Sequence, residues 1–263
     1  MAIANSDRDR LRLLAEQAGR TLEGATPQSI LRWGAKHFGR SLCIAASMAD
    51  AVMIHLASSV LEGVDIIFLD TGYHFEETLE TRDRVAARYS ITLHSIQPRQ
   101  TVAEQDALFG PQLYERDPDA CCNLRKVEPL RRALEPFAAW ASGMRRDETA
   151  ARKHIGVVEW DANRQMVKLN PLAAWSDAEV DDYIAEHDIV LNPLLSRGYP
   201  SIGCEPCTFK VAPGENPRSG RWAGSTKTEC GLHFNGDGTI SPARSATPAG
   251  DGTANAATPP AKA

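Results

Sequence analysis

Residues 64–72 have the sequence VDIIFLDTG, an apolar run of strand length followed by an acid, a threonine and a turn glycine. A second apolar run of strand length lies at 41–46, residues 91–96 are a third predicted strand, and the segments between these strands are predicted helices. Buried strands that alternate with helices of this length indicate a right-handed, mainly parallel α/β sheet. We therefore predict an α/β fold in which 64–69 is a buried strand and 70–72 is its turn.

More elements are predicted towards both ends of the chain. They are helices over 7–38 and 120–134 and strands over 137–141, 154–158 and 166–169. Ser176 and Glu179 form a capping-box pattern, which predicts a helix that begins there and ends near His187. Proline and glycine dominate after Asn192, so regular structure should be sparse in that region.

These elements predict a single α/β domain over residues 1–235. Within it we expect N-terminal helices at 7–38, a nucleotide-binding sheet at 41–170 and a C-terminal segment at 171–235. Residues 236–263 have Ile240 as their only large aliphatic residue. Such a stretch buries too little apolar surface to offset the entropy cost of ordering, so we expect it to be disordered.

Composition excludes several classes of protein. The formal net charge of −5 argues against a general nucleic-acid binder. No apolar run approaches the ~20 residues of a membrane span, and the start of the chain lacks the charged-then-apolar pattern of a signal peptide. We therefore expect a cytoplasmic protein. Six cysteines in 263 residues are too few for a disulfide-stapled module, and in a reducing compartment they indicate metal ligands or catalytic thiols.

Four of the cysteines form two tight pairs, Cys121 with Cys122 and Cys204 with Cys207. Four thiolates can hold a structural zinc ion or an iron–sulfur cluster, and a CxxC pair can also be a redox centre. Adjacent cysteines suit a tetrahedral zinc ion poorly because their side chains diverge, which favours a cluster. Cys43 lies in an apolar strand and is expected to be a small buried hydrophobe.

Cys230 remains as the candidate nucleophile. Lys227, Arg218 and Arg221 can lower the pKa of its thiol, whereas Glu229 would act against them. Its position just before the expected disordered tail suggests a segment that closes on a substrate and then opens to a partner. The alternative is an incidental exposed cysteine.

Several loops predict an anion site at the carboxyl ends of the strands. Ser47 follows the first strand and can bind an anionic group or simply cap a helix. Asp70 lies in the second turn, which either holds a base and ribose or is an ordinary βα turn. Arg145 and Arg146 follow the predicted strand at 137–141, which places them on the ligand side.

Six motifs together resemble the assimilatory sulfonucleotide reductases, and in particular the cluster-containing adenylyl-sulfate (APS) reductases. The matching motifs are LDTGY at 69–73, CCNLRK at 121–126, GMRRDE at 143–148, CEPCT at 204–208, GENPRSGRW at 214–222 and KTECGLH at 227–233. The likeness extends from about Ser41 to His233. The loop at Ser47 departs from it, since Met48-Ala49 stands where many relatives carry glycine.

The resemblance implies an adenine-nucleotide α-hydrolase-like sheet and a complete reaction. Cys121, Cys122, Cys204 and Cys207 would bind a [4Fe-4S] cluster. Cys230 would attack the sulfate sulfur of APS, releasing AMP and leaving an S-sulfocysteine from which reduced thioredoxin releases sulfite, as in sulfate assimilation and cysteine biosynthesis. Ser47 would lie in the modified phosphate loop, and the phosphosulfate would be held by Lys126, Arg145 or Arg146, Arg218 and Arg221.

Three alternatives to this function remain. A reductase for 3′-phosphoadenylyl sulfate (PAPS) is the nearest, although relatives with that substrate mostly lack the two cysteine pairs. An adenylating ATPase would require a glycine-rich pyrophosphate loop, which residues 47–50 do not provide. A zinc-stabilised nucleotide-binding module is the alternative outside enzymes. The sequence leaves the oligomeric state open, a homo-oligomer included.

Overall fold

The structure is a computed structural model, and it describes residues 5–224, 227, 229, 231 and 232. The predicted tail at 236–263 lies outside the described residues, and so does Cys230. The helices are α1 Asn5–Thr21, α2 Pro27–Phe38, α3 Val52–Ser58, α4 Glu76–Arg88, α5 Val102–Phe109, α6 Leu113–Arg116, α7 Pro118–Cys122, α8 Glu128–Leu134 and α9 Asp177–His187. The strands are β1 Leu42–Ala45, β2 Val64–Leu69, β3 Ile91–Ile96, β4 Ala139–Ser142, β5 Val158–Asp161 and β6 Met166–Leu169.

The strands form one six-stranded sheet in the order β3-β2-β1-β4-β6-β5. Every pairing is parallel except that of β5 with β6, so the predicted mainly parallel sheet is confirmed. The chain runs from β1 outward through β2 to β3 and then returns to place β4 on the other side of β1. This reversal between β1 and β4 creates a crevice at their carboxyl ends, where open α/β sheets bind ligands.

Alternation along the strands assigns side chains to the two faces of the sheet. Ile44, Ile66 and Phe68 belong to one buried cluster, whereas Cys43 and Trp140 pack with Leu130 and Leu134 of α8 on the other face. Cys43 is fully buried, as predicted. Burial raises the pKa of its thiol, with the Asp65 carboxylate adding to the effect, so Cys43 is not a reactive thiol.

The helix predicted over 120–134 is interrupted. Residues 118–122 and 128–134 are α-helical, but Asn123–Val127 between them is a π-helical turn. Pro129 supplies a physical reason, because it has no N–H to donate to the carbonyl of Arg125 and its ring crowds that group. π-turns inside helices are frequent at functional sites. The widened turn lies directly after the cysteine pair.

The other boundaries differ by a few residues. The strand predicted over 137–141 is formed by Ala139–Ser142, and the one predicted from 154 begins only at Val158. The segment before Val158 is a loop in which the Gly156 N–H donates to Glu159 Oε2 at 3.3 Å. The Ser176 capping box is present, with reciprocal bonds to Glu179 of 3.3 and 2.7 Å. Within the described residues no helix has the length and apolarity to cross a membrane.

Candidate active site

A cavity of about 330 Å³ lies at the carboxyl ends of β1, β2 and β4, at the reversal of strand order. Polar and charged side chains from six separate parts of the chain meet there. The cationic ones are Lys126, Arg145, Arg152, Arg218 and Arg221, and the carboxylates are Asp50 and Glu148. Positive charge therefore exceeds negative charge, so the cavity suits an anionic ligand. We call it the anion cavity.

Ser47 lies in this cavity and does not cap a helix. The residue before α3 is Ala51, and the first turn of α3 is instead capped by Asp50, whose Oδ1 accepts the Val52 N–H at 3.0 Å. Ser47 is exposed and lines the cavity. Its neighbour Met48 is fully buried with a φ of 62°, a left-handed conformation that normally favours glycine. Core packing of the Met48 side chain holds the loop in this conformation.

The two arginines of the loop after β4 have different surroundings. Arg145 lines the cavity, donates to the Trp175 carbonyl at 3.4 Å and forms an ion pair with Asp177. Arg146 is not among the described residues that line the cavity. It forms two bonds of 2.7 and 2.9 Å to the carboxylate of Glu23 in the loop after α1. Of this pair, only Arg145 is placed to contact a ligand in the cavity.

Asp70 is likewise absent from the described residues that line the cavity. Its Oδ1 accepts the Gly72 N–H at 3.3 Å, which stabilises the turn. The same turn contributes Thr71 and His74 to the cavity instead. Burial lowers the pKa of His74, although its bond to the Leu69 carbonyl opposes the shift. The ring is therefore neutral at pH 7, and its Nδ1 has no partner in the described part of the chain.

Arg218 and Arg221 reach the cavity from the segment after the CxxC loop. Arg221 donates to Ser201 Oγ at 3.3 Å and to the Ile202 carbonyl at 3.2 Å. Its guanidinium also lies over the ring of Trp222, 4.6 Å from the centroid. A Cβ atom at position 203 would lie 2.2 Å from Arg221 Nη2, so the glycine there lets the guanidinium approach the backbone.

All four paired cysteines line a second, smaller cavity next to the first. Cys121, Cys122 and Cys204 are buried, and Cys207 is half-buried. Burial raises the pKa of Cys121 to about 12, and the three neighbouring cysteines contribute to the shift. In the part of the chain that the structure describes, no three His, Cys, Asp or Glu side chains are close enough to hold a single metal ion.

Backbone contacts bring the two cysteine pairs together. The Glu205 N–H in the CxxC loop donates to the Tyr73 carbonyl at 2.7 Å. Arg125, which follows the first pair, is buried and donates to the Thr71 carbonyl at 2.6 Å. Thr71 Oγ1 in turn lies 3.4 Å from Cys204 Sγ. The turn after β2 thus joins both cysteine-bearing segments.

Lys126 and Trp222 line both cavities. Lys126 is 9% exposed and Trp222 is 5% exposed, so neither faces bulk water. Lys126 is therefore close to the four thiols and to the anion cavity at once. Trp222 has a φ of 50°, and its backbone N–H donates to the Cys207 carbonyl at 3.0 Å. This bond joins the motif at 214–222 to the CxxC motif at 204–208.

The segment that carries Cys230 is held on both sides of that residue. Before it, Lys227 forms an ion pair with Asp119, and Glu229 is buried against Arg152 with bonds of 2.8 and 2.7 Å. After it, Leu232 lines the anion cavity, and its carbonyl accepts a bond of 3.2 Å from Arg164. The chain adjacent to Cys230 therefore reaches the carboxyl ends of the strands.

Residues 41–210 match the phosphoadenosine phosphosulfate reductase domain. The chain belongs to this family. An adenosine 5′-phosphosulfate reductase of Streptomyces coelicolor is 56% identical over 225 residues, which are 86% of this chain and 95% of the relative. One of Mycolicibacterium smegmatis is 49% identical over 231 residues, covering 88% and 98% of the two chains.

The fold of the family is also found in a solved structure. The phosphoadenylyl-sulfate reductase of Candida auris, in a phosphate complex, superposes with a TM-score of 0.64 at 30% identity. The superposition covers 80% of this chain and 99% of that one. The predicted adenine-nucleotide α-hydrolase-like fold is thereby confirmed.

Sequence reasoning missed some residues of the site. Arg152 is one of them, since it lines the cavity and is 6% exposed. Its i,i+4 spacing from Glu148 was the available signal. Arg125 and His74 were likewise missed, since nothing in their sequence neighbourhood shows which carbonyls they face.

Proposed function

We propose that this protein is a reductase that converts adenosine 5′-phosphosulfate to sulfite and AMP, with thioredoxin as its reductant. The observation that carries the proposal is the lining of the larger cavity. Lys126, Arg145, Arg218 and Arg221 meet there with Leu232 of the motif that contains Cys230. Relatives that share about half of their residues with this chain bear the name of this enzyme.

The reaction would proceed in two displacements. The Cys230 thiolate attacks the sulfate sulfur, a sulfur–sulfur bond forms, and the bond from that sulfur to the AMP oxygen breaks. AMP leaves with the electron pair, and the enzyme retains an S-sulfocysteine. A thiolate of reduced thioredoxin then attacks the Cys230 sulfur and expels sulfite, and the second thioredoxin thiol resolves the mixed disulfide. The thioredoxin dithiol supplies both electrons.

The cationic lining would lower the barrier of the first displacement. A sulfate group repels a thiolate, and guanidinium and ammonium groups held in place before the reaction neutralise the charge of the sulfate and of the departing phosphate. Lys126 is suited to this because it is buried at the junction of both cavities. Ser47, which also lines the cavity, would contribute to holding the phosphate. His74 Nδ1, in place of Asp70, would accept a hydroxyl of the ribose.

Cys121, Cys122, Cys204 and Cys207 would hold a [4Fe-4S] cluster. The donor set fits, because four thiols line one cavity but do not converge on one point, as a single ion would require. A cubane offers a separate iron corner to each thiolate, and adjacent cysteines suit it. Once bound, the cluster would cross-link the two cysteine-bearing segments beside Lys126. A structural zinc ion on the same thiols is the alternative.

The cellular setting completes the proposal. Buried cysteines and thioredoxin chemistry fit a reducing compartment, so we place the enzyme in the cytoplasm as part of sulfate assimilation and cysteine biosynthesis. Reduction of PAPS is a second candidate, because the Candida auris protein that shares the fold is a PAPS reductase.

The test is incubation of the purified protein with sulfur-labelled APS in the absence of reductant. The expected result is one covalent label per chain on wild type, none on Cys230→Ser, and release of the label as sulfite when reduced thioredoxin is added. Label on the serine variant would overturn the role of Cys230. Parallel incubation with labelled PAPS separates the two substrates, since a faster reaction with PAPS would favour the second candidate.

A further inference from the structure

Arg152 joins two carboxylates that belong to different motifs. Its Nε and Nη2 donate to the two oxygens of Glu229, and its Nη1 donates to Glu148 Oε2. Glu148 in turn accepts the backbone N–H of Arg145 at 2.9 Å. One guanidinium thus connects the cationic loop after β4 to the residue that directly precedes Cys230.

The Arg152–Glu229 pair is almost fully enclosed. The side chains of Arg152 and Glu229 are 7% and 6% exposed. Thr149 Oγ1 adds a bond of 3.2 Å to Glu229 Oε1, and Arg218 approaches Oε2 at 3.4 Å. A bidentate pair of this kind fixes both distance and orientation, whereas an exposed pair would do neither. The carboxylate of Glu229 is consequently neutralised where the sequence alone suggests that it would oppose the thiolate.

We propose that Arg152 is a positioning residue for the nucleophile, because it holds Glu229, and with it the chain immediately before Cys230, at the rim of the anion cavity. This inference rests on the proposed role of Cys230. Arg164 supports the same segment from the other side through the Leu232 carbonyl at 3.2 Å.

The chain offers a matched control for this pair. Glu23 receives two bonds of 2.7 and 2.9 Å from Arg146, in the same loop region as Arg152. Glu23 lies between α1 and α2 and is not among the described residues that line the cavity. Glu229→Gln and Glu23→Gln therefore each remove a two-bond arginine–carboxylate pair, one enclosed beside Cys230 and one partly exposed away from it.

Two measurements test the proposal. The first is the single-turnover rate of sulfur label transfer from APS, at saturating APS and without reductant. The second is the rate of tryptic cleavage after Lys227, followed by mass spectrometry without any substrate. We expect Glu229→Gln and Arg152→Gln to slow labelling on the order of 100-fold, as expected for a displaced reacting group, and to accelerate the cleavage. Glu23→Gln should leave both rates at the wild-type value.

Two results would contradict the positioning role of Arg152. Labelling of Glu229→Gln at the wild-type rate would overturn the positioning role, and so would slow labelling with unchanged cleavage after Lys227, since the segment would then not depend on this pair. Glu229→Asp keeps the charge and should restore part of the labelling rate relative to Glu229→Gln. If wild type took up no label at all, the proposed function would fail. The cleavage rates would still show whether the Arg152–Glu229 pair holds the segment.

Discussion

The guanidinium of Arg125 donates to the carbonyl oxygen of Thr71 at 2.6 Å, across 54 positions of sequence. The same side chain donates to the carbonyl of Gln100 and to Oε1 of Gln105, each at 3.2 Å, and lies over the ring of Tyr73. A single buried cation therefore fixes the turn after β2 against the segment that carries Cys121 and Cys122.

Replacement of Arg125 by methionine should destabilise the fold. The stem of the side chain is retained, but the carbonyls of Thr71 and Gln100 lose their donor. We expect the free energy of unfolding to fall by about 3 kcal/mol, typical of lost hydrogen bonds to a buried charge. Urea denaturation measures it. Arg131→Met removes an exposed pair with Glu135 and should cost less than about 0.5 kcal/mol; equal losses in the two variants would contradict the account.

Arg145 and Arg146 should differ in their effect on ligand binding. Arg145→Gln removes a cation that lines the cavity, and we expect the dissociation constant for APS to rise about tenfold, or about 1.4 kcal/mol. Arg146→Gln breaks a pair with Glu23 outside the cavity and should leave APS affinity unchanged. Isothermal titration with the Cys230→Ser protein, which cannot react, measures both. Equal weakening by the two variants would show that Arg146 also contacts the ligand.

Gly203→Ala should act on Arg221 without unfolding the protein. The new Cβ would lie 2.2 Å from Nη2, at the flexible end of the arginine, so the guanidinium must move while the backbone stays. We expect weaker APS binding with a melting temperature close to that of wild type. Binding at wild-type affinity would mean that Arg221 does not contact the anion from its present position.

The buried carboxylate of Glu229 gives stability a defined pH dependence. Burial raises its pKa, but the bonds and charge of Arg152, with Arg218, lower it more, so the net pKa lies below the ordinary value of 4.5. Its contribution should therefore be fully present above pH 4.5 and be lost as pH falls through the lowered pKa. We expect the free energy of unfolding of wild type to exceed that of Glu229→Gln by about 2 kcal/mol at pH 7. Urea titrations at lower pH should show this difference shrinking below pH 4.5. A constant difference across that range would mean that the carboxylate is not ionised in the folded protein.

The four cavity cysteines should determine metal content, and Cys43 should not. Cys207→Ser is expected to lower iron and acid-labile sulfide in anaerobically purified protein, because it removes one of four thiols at one cavity. Cys43→Ala changes a buried thiol on a strand inside the sheet and should retain both. Colourless wild-type protein with one zinc ion per chain would instead support the structural zinc site.

The order of strands and helices followed from the sequence because central strands such as β2 are short, nearly continuous apolar runs. The 64–69 prediction matches β2 at both ends, and the 91–96 prediction matches β3. The π-turn at 123–127 was not predictable from periodicity, since apolar spacing fits an uninterrupted helix equally well. Pro129 was its only local signal.

The candidate site was predictable where chemistry is concentrated in motifs. The two cysteine pairs do line one cavity, and Ser47 does line the other. The choice between Arg145 and Arg146 was not predictable, because it depends on where Glu23 lies in three dimensions. The position of Asp70 outside the cavity lining was not predictable either; its Oδ1 accepts the Gly72 N–H. Adjacent residues in a loop point in directions that only the folded chain determines.

Trp222 and Lys126 form a wall that the two cavities share. A nucleotide that displaces either side chain therefore alters the surroundings of the four thiols without touching them. Any chromophore held by those thiols, together with the indole of Trp222 itself, would act as an optical reporter of occupancy on the other side of the wall. Ligand binding could then be followed by a change in absorbance or fluorescence, with no label attached to the protein.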